Sequence, residues 1–258
     1  MARKFSSMDQ LTIQEPHGNK KIWRYMDFTK FMDLVTSQHL FFCNLSKLTD
    51  LYEGRIPTLA IARERKRLSN KDHVSQKEID SFILQEERRV DEFRDYTLVN
   101  CWNQDTQESY ALWKIYLDGS RNGVAIRCTV SHLKSSIIDD DEFIVREVYY
   151  SHDLLGSINQ NNVIFRKGPY YAYENEVRIA LKNQFDATSF EEERDSGRKF
   201  FARYTNGMRV KVDTYQLIQE IYISPFCAAW FPSTLTETLK RVSPDLARRI
   251  KRSQIQDQ

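Results

Sequence analysis

Glycine is scarce in this chain, eight in 258 residues, and none stands in a GxGxxG or GxxxxGK[ST] pattern. That removes the glycine-rich loops that bring backbone N–H groups up to a phosphate. GxSxG, HExxH and the calcium-loop spacing are also missing, so serine-hydrolase elbows, zincin helices and EF-hands are excluded. Cys43, Cys101, Cys128 and Cys227 lie far apart with no CxxC pair. This pattern predicts free thiols rather than a disulfide framework or a structural zinc site. His17, His39, His73, His132 and His152 form no local cluster suited to a metal or a triad. No apolar run is long enough for a membrane span, and no apolar block follows the early basic residues, so a cytoplasmic protein with no membrane partner is expected. A net charge of +2 gives no overall pull toward nucleic acid. The basic run Arg248, Arg249, Lys251 and Arg252, after Arg241, reads as a solvated helix face.

What is present is a core. Hydrophobic residues make up 41% and aromatics 12%, as in an ordinary globular domain. The first strand is expected at Ile22-Trp23-Arg24-Tyr25, followed by a helix capped by Asp27 and carrying Phe28, Phe31, Met32, Val35 and His39. A strand at Leu40–Leu45 then leads into a loop holding Asp50, Tyr52, Glu53 and Gly54. Residues 58–96 turn to Arg, Lys, Glu and Gln with sparse apolar positions. They predict a charged helical insertion of two helices, broken near Ser69-Asn70 and able to dock a protein partner. A strand at Leu98–Trp102, a helix at Glu108–Asp118 and strands at Gly123–Val130, Phe143–Tyr150 and Val177–Leu181 follow. The last third carries a strand near Arg209–Val212 and closing helices over 232–258, the second started by Ser243-Pro244. The expected architecture is one α+β domain over 1–258, with a curved or split, antiparallel-rich mixed sheet and flanking helices.

Four segments can carry chemistry. Arg24 sits in an apolar strand, where its guanidinium needs an anion, a carboxylate or an aromatic face. Asp50 and Glu53 can orient a base or hold a metal, although loop acids more often bond their own backbone. In Cys101–Tyr116, helical spacing aligns Ser109, Leu112, Trp113 and Tyr116. The preceding strand brings up Trp102, so Trp102, Tyr110 and Trp113 can wall a planar-ring pocket or simply form core. If a strand begins at Glu174, Glu174, Glu176 and Arg178 share one open face opposite Val177, Ile179 and Leu181. Paired carboxylates there suit general-base work or stabilisation of a cation.

The motifs Trp23-Arg24-Tyr25, Asp50-x-Tyr52-Glu53-Gly54, Cys101-Trp102, Glu108-Ser109-x-Ala111-Leu112-Trp113-x-x-Tyr116, Gly123-Val124-Ala125-Ile126 and Tyr173-Glu174-x-Glu176-x-Arg178 come in the order found in a bacterial domain-of-unknown-function family, number 2971. The chain resembles that family over roughly residues 20–230, and the resemblance implies a phage-defence or toxin role. Arg24, Ser109 and Glu174-x-Glu176 also resemble the series of the Arg–Ser–Glu type ADP-ribosyltransferases, although no Ser-Thr-Ser triplet stands at the middle position. That likeness implies NAD as substrate, with Arg24 on its pyrophosphate, Tyr25, Trp102, Ser109, Tyr110 and Trp113 as the cofactor-binding set, and Glu176 beside the oxocarbenium-like ribose. Glu174 would orient or deprotonate a protein or nucleic-acid acceptor, or water in an NAD glycohydrolase. Two other classes stay open. One is a metal-dependent nuclease built on Asp50, Glu53, Glu176 and Lys182. The other is a non-catalytic nucleotide-sensing or adaptor domain.

Overall fold

Strand β1, Lys21–Asp27, alternates its side chains between two apolar layers: Ile22 and Met26 enter one core cluster while Trp23 and Tyr25 enter another. A strand with both faces covered has to lie in the middle of a layered fold. The computed structural model describes residues 13–50, 52–117, 119–139, 143–181 and 206–255. It has the α+β architecture expected from the sequence.

Asp27 ends β1 and caps α1 (Phe28–Ser37), its side chain accepting from the N–H of Lys30 at 2.8 Å. This satisfies one of the donors that a helix start leaves without an intrahelical partner. Gln38, at φ 56°, closes the helix in the left-handed region and turns the chain into β2 (His39–Asn44). His39, expected on the helix, is therefore the first residue of the strand.

Helices α2 (Thr58–Ser69) and α3 (Gln76–Tyr96) follow. Leu68, Ile79 and Ile83 pack between them, while Val90 and Phe93 face the body. Ser75 and Glu78 form a capping box at the start of α3. The chain continues through β3 (Leu98–Gln104), α4 (Tyr110–Leu117), β4 (Gly123–Thr129), α5 (Val130–Ser136), β5 (Phe143–Glu147) and β6 (Tyr149–Tyr150). Next come α6 (Gln160–Ile164), β7 (Arg166–Lys167), a 3-10 turn over Pro169–Glu174, β8 (Glu176–Leu181) and β9 (Gly207–Lys211). Helix α7 (Thr214–Leu217), β10 (Glu220–Ile223), α8 (Phe231–Val242), α9 (Pro244–Ala247) and β11 (Ile250–Arg252) complete the described elements.

Three expectations are corrected here. The strand expected over Phe143–Tyr150 breaks at Val148: β5 joins the main sheet, whereas β6 pairs with β7 in a separate two-stranded ribbon. The helices expected over 232–258 stop at Ala247: Arg248 and Arg249 form a turn, and Lys251 and Arg252 lie on β11, which pairs parallel to β10. In that turn Arg249 donates to the carbonyls of Tyr215 and Ile218 rather than standing on a solvated helix face. The strand expected over Val177–Leu181, with a start at Glu174 considered, begins at Glu176, because Glu174 closes the 3-10 turn and Asn175 reverses the backbone at φ 38°.

The main sheet runs β11-β10-β4-β1-β3-β2-β9, with β8 also on β3 and β5 on β8. Its pairings are antiparallel except β10 with β11. The register at β3 is the feature that creates the site. Asn103 pairs with both Trp23 of β1 and Glu176 of β8, and Val99 pairs with both Cys43 of β2 and Ala180 of β8. A residue has one neighbour on each edge, so β1 and β2 share the edge of β3 opposite β8. They meet it at its two ends and part between them, along Asn100–Trp102.

Candidate functional site at the parting of two strands

The gap between β1 and β2 opens into a cleft of about 550 Å³. Met26, Thr29, Lys30, Asp33 and Leu34 line it from β1 and α1, and Leu40, Phe41 and Cys43 from β2. Asn100, Cys101, Trp102 and Asn103 of β3 line its middle, Ile115 and Tyr116 its helix α4 side, and Glu53, Lys167, Glu174, Glu176 and Arg178 its polar end.

Arg24 stands at the parting. Its Nη1 donates to the carbonyl of Cys101 at 3.4 Å, a backbone oxygen on the edge that neither β1 nor β2 covers, and its guanidinium lies 5.9 Å from the centroid of Trp102. Burial works against its charge and lowers its pKa from the ordinary guanidinium value. Arg24 makes no ion pair with a carboxylate among the described residues. A partly buried guanidinium served by one long carbonyl contact retains donors for an anion.

At the polar end, Arg178 is fully buried and is held by two acids. Its Nε donates to Glu176 Oε1 at 2.7 Å, its Nη2 pairs with Glu53 Oε1, and its Nη1 reaches the carbonyl of Ile164. Lys167 Nζ lies 2.7 Å from Glu174 Oε2, 3.6 Å from Glu53 Oε2 and 3.8 Å from Glu176 Oε2. Three carboxyl groups thus face two cations beside the cleft. The open face expected for Glu174, Glu176 and Arg178 is corrected: all of β8 is buried, and Glu176 is 5% exposed. The acids are nevertheless brought together, because the turn before β8 returns the Glu174 carboxylate to Lys167.

The two glutamates titrate apart. Burial raises the pKa of Glu176, but Arg178 and then Lys167 outweigh it and hold the carboxyl below its usual value. For Glu174, burial and the neighbouring Glu176 and Glu53 outweigh Lys167 and raise it. Burial also opposes the charge on Lys167, yet Glu53, Glu176 and Glu174 keep it protonated well beyond its ordinary range. A carboxyl held below its usual pKa beside one raised above it is the arrangement that divides charge stabilisation from acid–base work.

The residues singled out in the sequence fall into two groups. Arg24, Tyr25, Trp102, Glu174 and Glu176 line the cleft. Trp102 does so while 2% exposed and packed in the main core, its Nε1 donating to Asn100 Oδ1 at 2.7 Å. Ser109, Tyr110 and Trp113 do not line it. Helix α4 begins at Tyr110, so Ser109 precedes it and caps it, with Oγ accepting from the N–H of Leu112 at 3.3 Å. Trp113 is fully buried behind Tyr25, and Tyr110 is exposed against Phe226 and Lys114. Sequence reasoning did not single out Lys167 as functional, and it joined Glu53 to Glu176 only as candidate metal ligands, not through Arg178. Glu53 lies in a loop already marked, but its partner Arg178 comes 125 residues later.

The acids considered for a metal are engaged otherwise. Asp50 accepts from the N–H of Tyr52 at 2.9 Å in a local turn, Glu53 and Glu176 hold cations, and Lys182 lies outside the described residues. No group of three or more His, Cys, Asp or Glu that could hold a metal ion occurs among the described residues. Nor is any described helix long and apolar enough to cross a membrane. Neither a scan against protein-family models nor a search of curated proteins returns a match for this chain.

Proposed function

We propose that the cleft binds NAD and cleaves its nicotinamide–ribose bond, as an ADP-ribosyltransferase or NAD glycohydrolase would. The observation that carries this reading is the placement of Arg24, a cation without a carboxylate partner among the described residues, in the same cleft as the Glu174–Glu176 pair. The likeness of Arg24 and Glu174-x-Glu176 to the Arg–Ser–Glu series supports it in the same direction, since these three residues line one cleft.

In this reaction the bond from ribose C1′ to the nicotinamide nitrogen breaks, and nicotinamide leaves with the electron pair. The cationic ribose is stabilised by Glu176, which its basic neighbours keep ionised. The acceptor oxygen, from water or from a protein or nucleic-acid group, then forms the new bond to C1′ and gives its proton to Glu174. Arg24 anchors the diphosphate, and Tyr25, Trp102 and Tyr116 offer ring faces. Ser109 takes no part, since its hydroxyl caps α4.

The test is incubation of the purified protein with NAD, with and without protein and nucleic-acid acceptors, followed by chromatography for free nicotinamide and by detection of label transfer. Release that falls by about a hundredfold or more in Glu176→Gln is the expected result. No release with any acceptor sinks the reading.

One observation favours a second reading. Glu53, Glu176 and Arg178 are buried and mutually paired, the form of a structural ion network in a nucleotide-sensing or adaptor domain. NAD binding without release, retained in Glu176→Gln, is the signature of that alternative.

A further inference from the structure

Glu108 belongs to a sequence motif that the proposed reaction leaves unused, and it stands outside the cleft. Its carboxylate gathers donors from two distant parts of the chain. Oε2 accepts from Trp113 Nε1 at 3.0 Å and from Ser253 Oγ at 2.7 Å, while Oε1 accepts from the backbone N–H of Gln254 at 2.7 Å. Ile255 follows, packing against the cluster of Trp23, Tyr25 and Trp113 and donating its N–H to Ser253 Oγ at 3.1 Å. The chain just beyond β11 is thereby fastened to the start of α4.

From that fastening a short series of contacts leads to the cleft. Ser109, next to Glu108, donates its N–H to the Tyr25 hydroxyl at 2.8 Å. Trp113 meets the Tyr25 ring edge-on with centroids 5.0 Å apart, and Tyr25 lies within 9° of parallel to Tyr116 at 6.4 Å. Both tyrosines line the cleft, Tyr25 from β1 and Tyr116 from α4. Their separation is therefore set by how α4 rests on β1. Most of the α4 contacts are apolar and permit sliding, whereas hydrogen bonds to a carboxylate fix direction as well as distance.

We infer that Glu108 is a positioning residue for the cleft. By clasping residues 253–255 it holds α4 against β1 and sets the spacing of the Tyr25 and Tyr116 rings. The inference rests on the reading of the cleft as the nucleotide site. Its consequence falls on binding, because the ring pair belongs to β1 and α4, whereas the carboxylates that act on the ribose belong to the turn before β8 and to β8 itself. Loosening the clasp changes how well a planar ring is held and leaves the acid–base pair in place.

Two variants of the full chain test it: Glu108→Gln, which removes one acceptor oxygen, and Ser253→Ala with Ile255→Ala, which leaves Glu108 intact and frees the clasped segment. For NAD turnover, KM is expected to rise by about tenfold in each while kcat stays within about twofold, the signature of lost binding rather than lost chemistry. A merely structural role would lower the active fraction, reducing kcat at unchanged KM, and that result overturns the inference. Amide hydrogen exchange provides an independent reading: Ser109 and residues 110–117 are expected to exchange faster in both variants, with β8 unchanged. Exchange at α4 equal to wild type in both variants also overturns it. Should the wild-type protein release no nicotinamide, that result tells against the proposed reaction. The clasp is then judged by exchange together with the Tyr25 and Tyr116 ring resonances, which must move in both variants for the inference to stand.

Discussion

A guanidinium buried without compensation costs several kcal/mol, and at Arg178 the compensation comes from Glu53, 125 positions earlier in the chain, and from Glu176, two positions earlier on the same strand. Glu53→Ala removes one of the two carboxylates and is expected to destabilise the protein by about 3–5 kcal/mol, read from the midpoint of urea unfolding. Acid and base should act oppositely through the two cleft glutamates. Glu176 has a folded pKa below the ordinary 4.5, so its contribution is present above that value and is lost as pH falls through the lower folded value. Glu174 is raised above 4.5, so the folded state holds its proton more tightly and stability declines as pH rises through that interval. Urea midpoints measured against pH should show wild type losing stability more steeply than Glu176→Gln below pH 4.5. Above pH 4.5 wild type should lose stability more steeply than Glu174→Gln. Equal slopes in both comparisons would contradict the assigned directions. Arg24, Glu174 and Glu176 were legible in the sequence because a charge inside an apolar strand and a Glu-x-Glu step are local patterns. Lys167 was not: its meaning comes from the three acids around it, and no spacing in the chain announces that meeting.

Helix starts and close strand contacts dominate at the scale of elements. Asp27→Ala should cost about 1 kcal/mol through loss of the α1 cap, measured by thermal or urea unfolding. Gly123→Ala should cost about 1–3 kcal/mol, because a Cβ there would stand 2.7 Å from the carbonyl oxygen of Met26 and 2.2 Å from Leu117 Cδ2, forcing β4 away from β1. The first strand and helix were readable because Asp27 and the apolar spacing agree. The reading of β8 went astray for a physical reason: period-2 alternation assumes one wet face, but here the polar face of Glu176 and Arg178 is covered as completely as the apolar one. The last strand, Ile250–Arg252, is too short and too basic to register as a strand, and its pairing with β10 supplies what its composition does not.

The consequence at the scale of the whole molecule comes from one topological fact. β1 and β2 claim the same edge of β3 and part along its middle, so a cleft opens within the sheet rather than at its rim, with Arg24 at the opening and a cluster of three glutamates, Lys167 and Arg178 at one end. An antiparallel-rich, split sheet was within reach of the sequence; which strands part, and which side chains the parting exposes, depends on pairings across most of the chain. The fold therefore gives the site its definition, and the site's chemistry rests on whether Arg24 holds an anion there. Calorimetric titration with ADP-ribose, which has the diphosphate but no nicotinamide to lose, tests this most directly. The account predicts binding to the wild-type protein that weakens by at least about tenfold in Arg24→Ala, with the unfolding midpoint preserved. Equal affinity in the two proteins, or no binding to either, would contradict it.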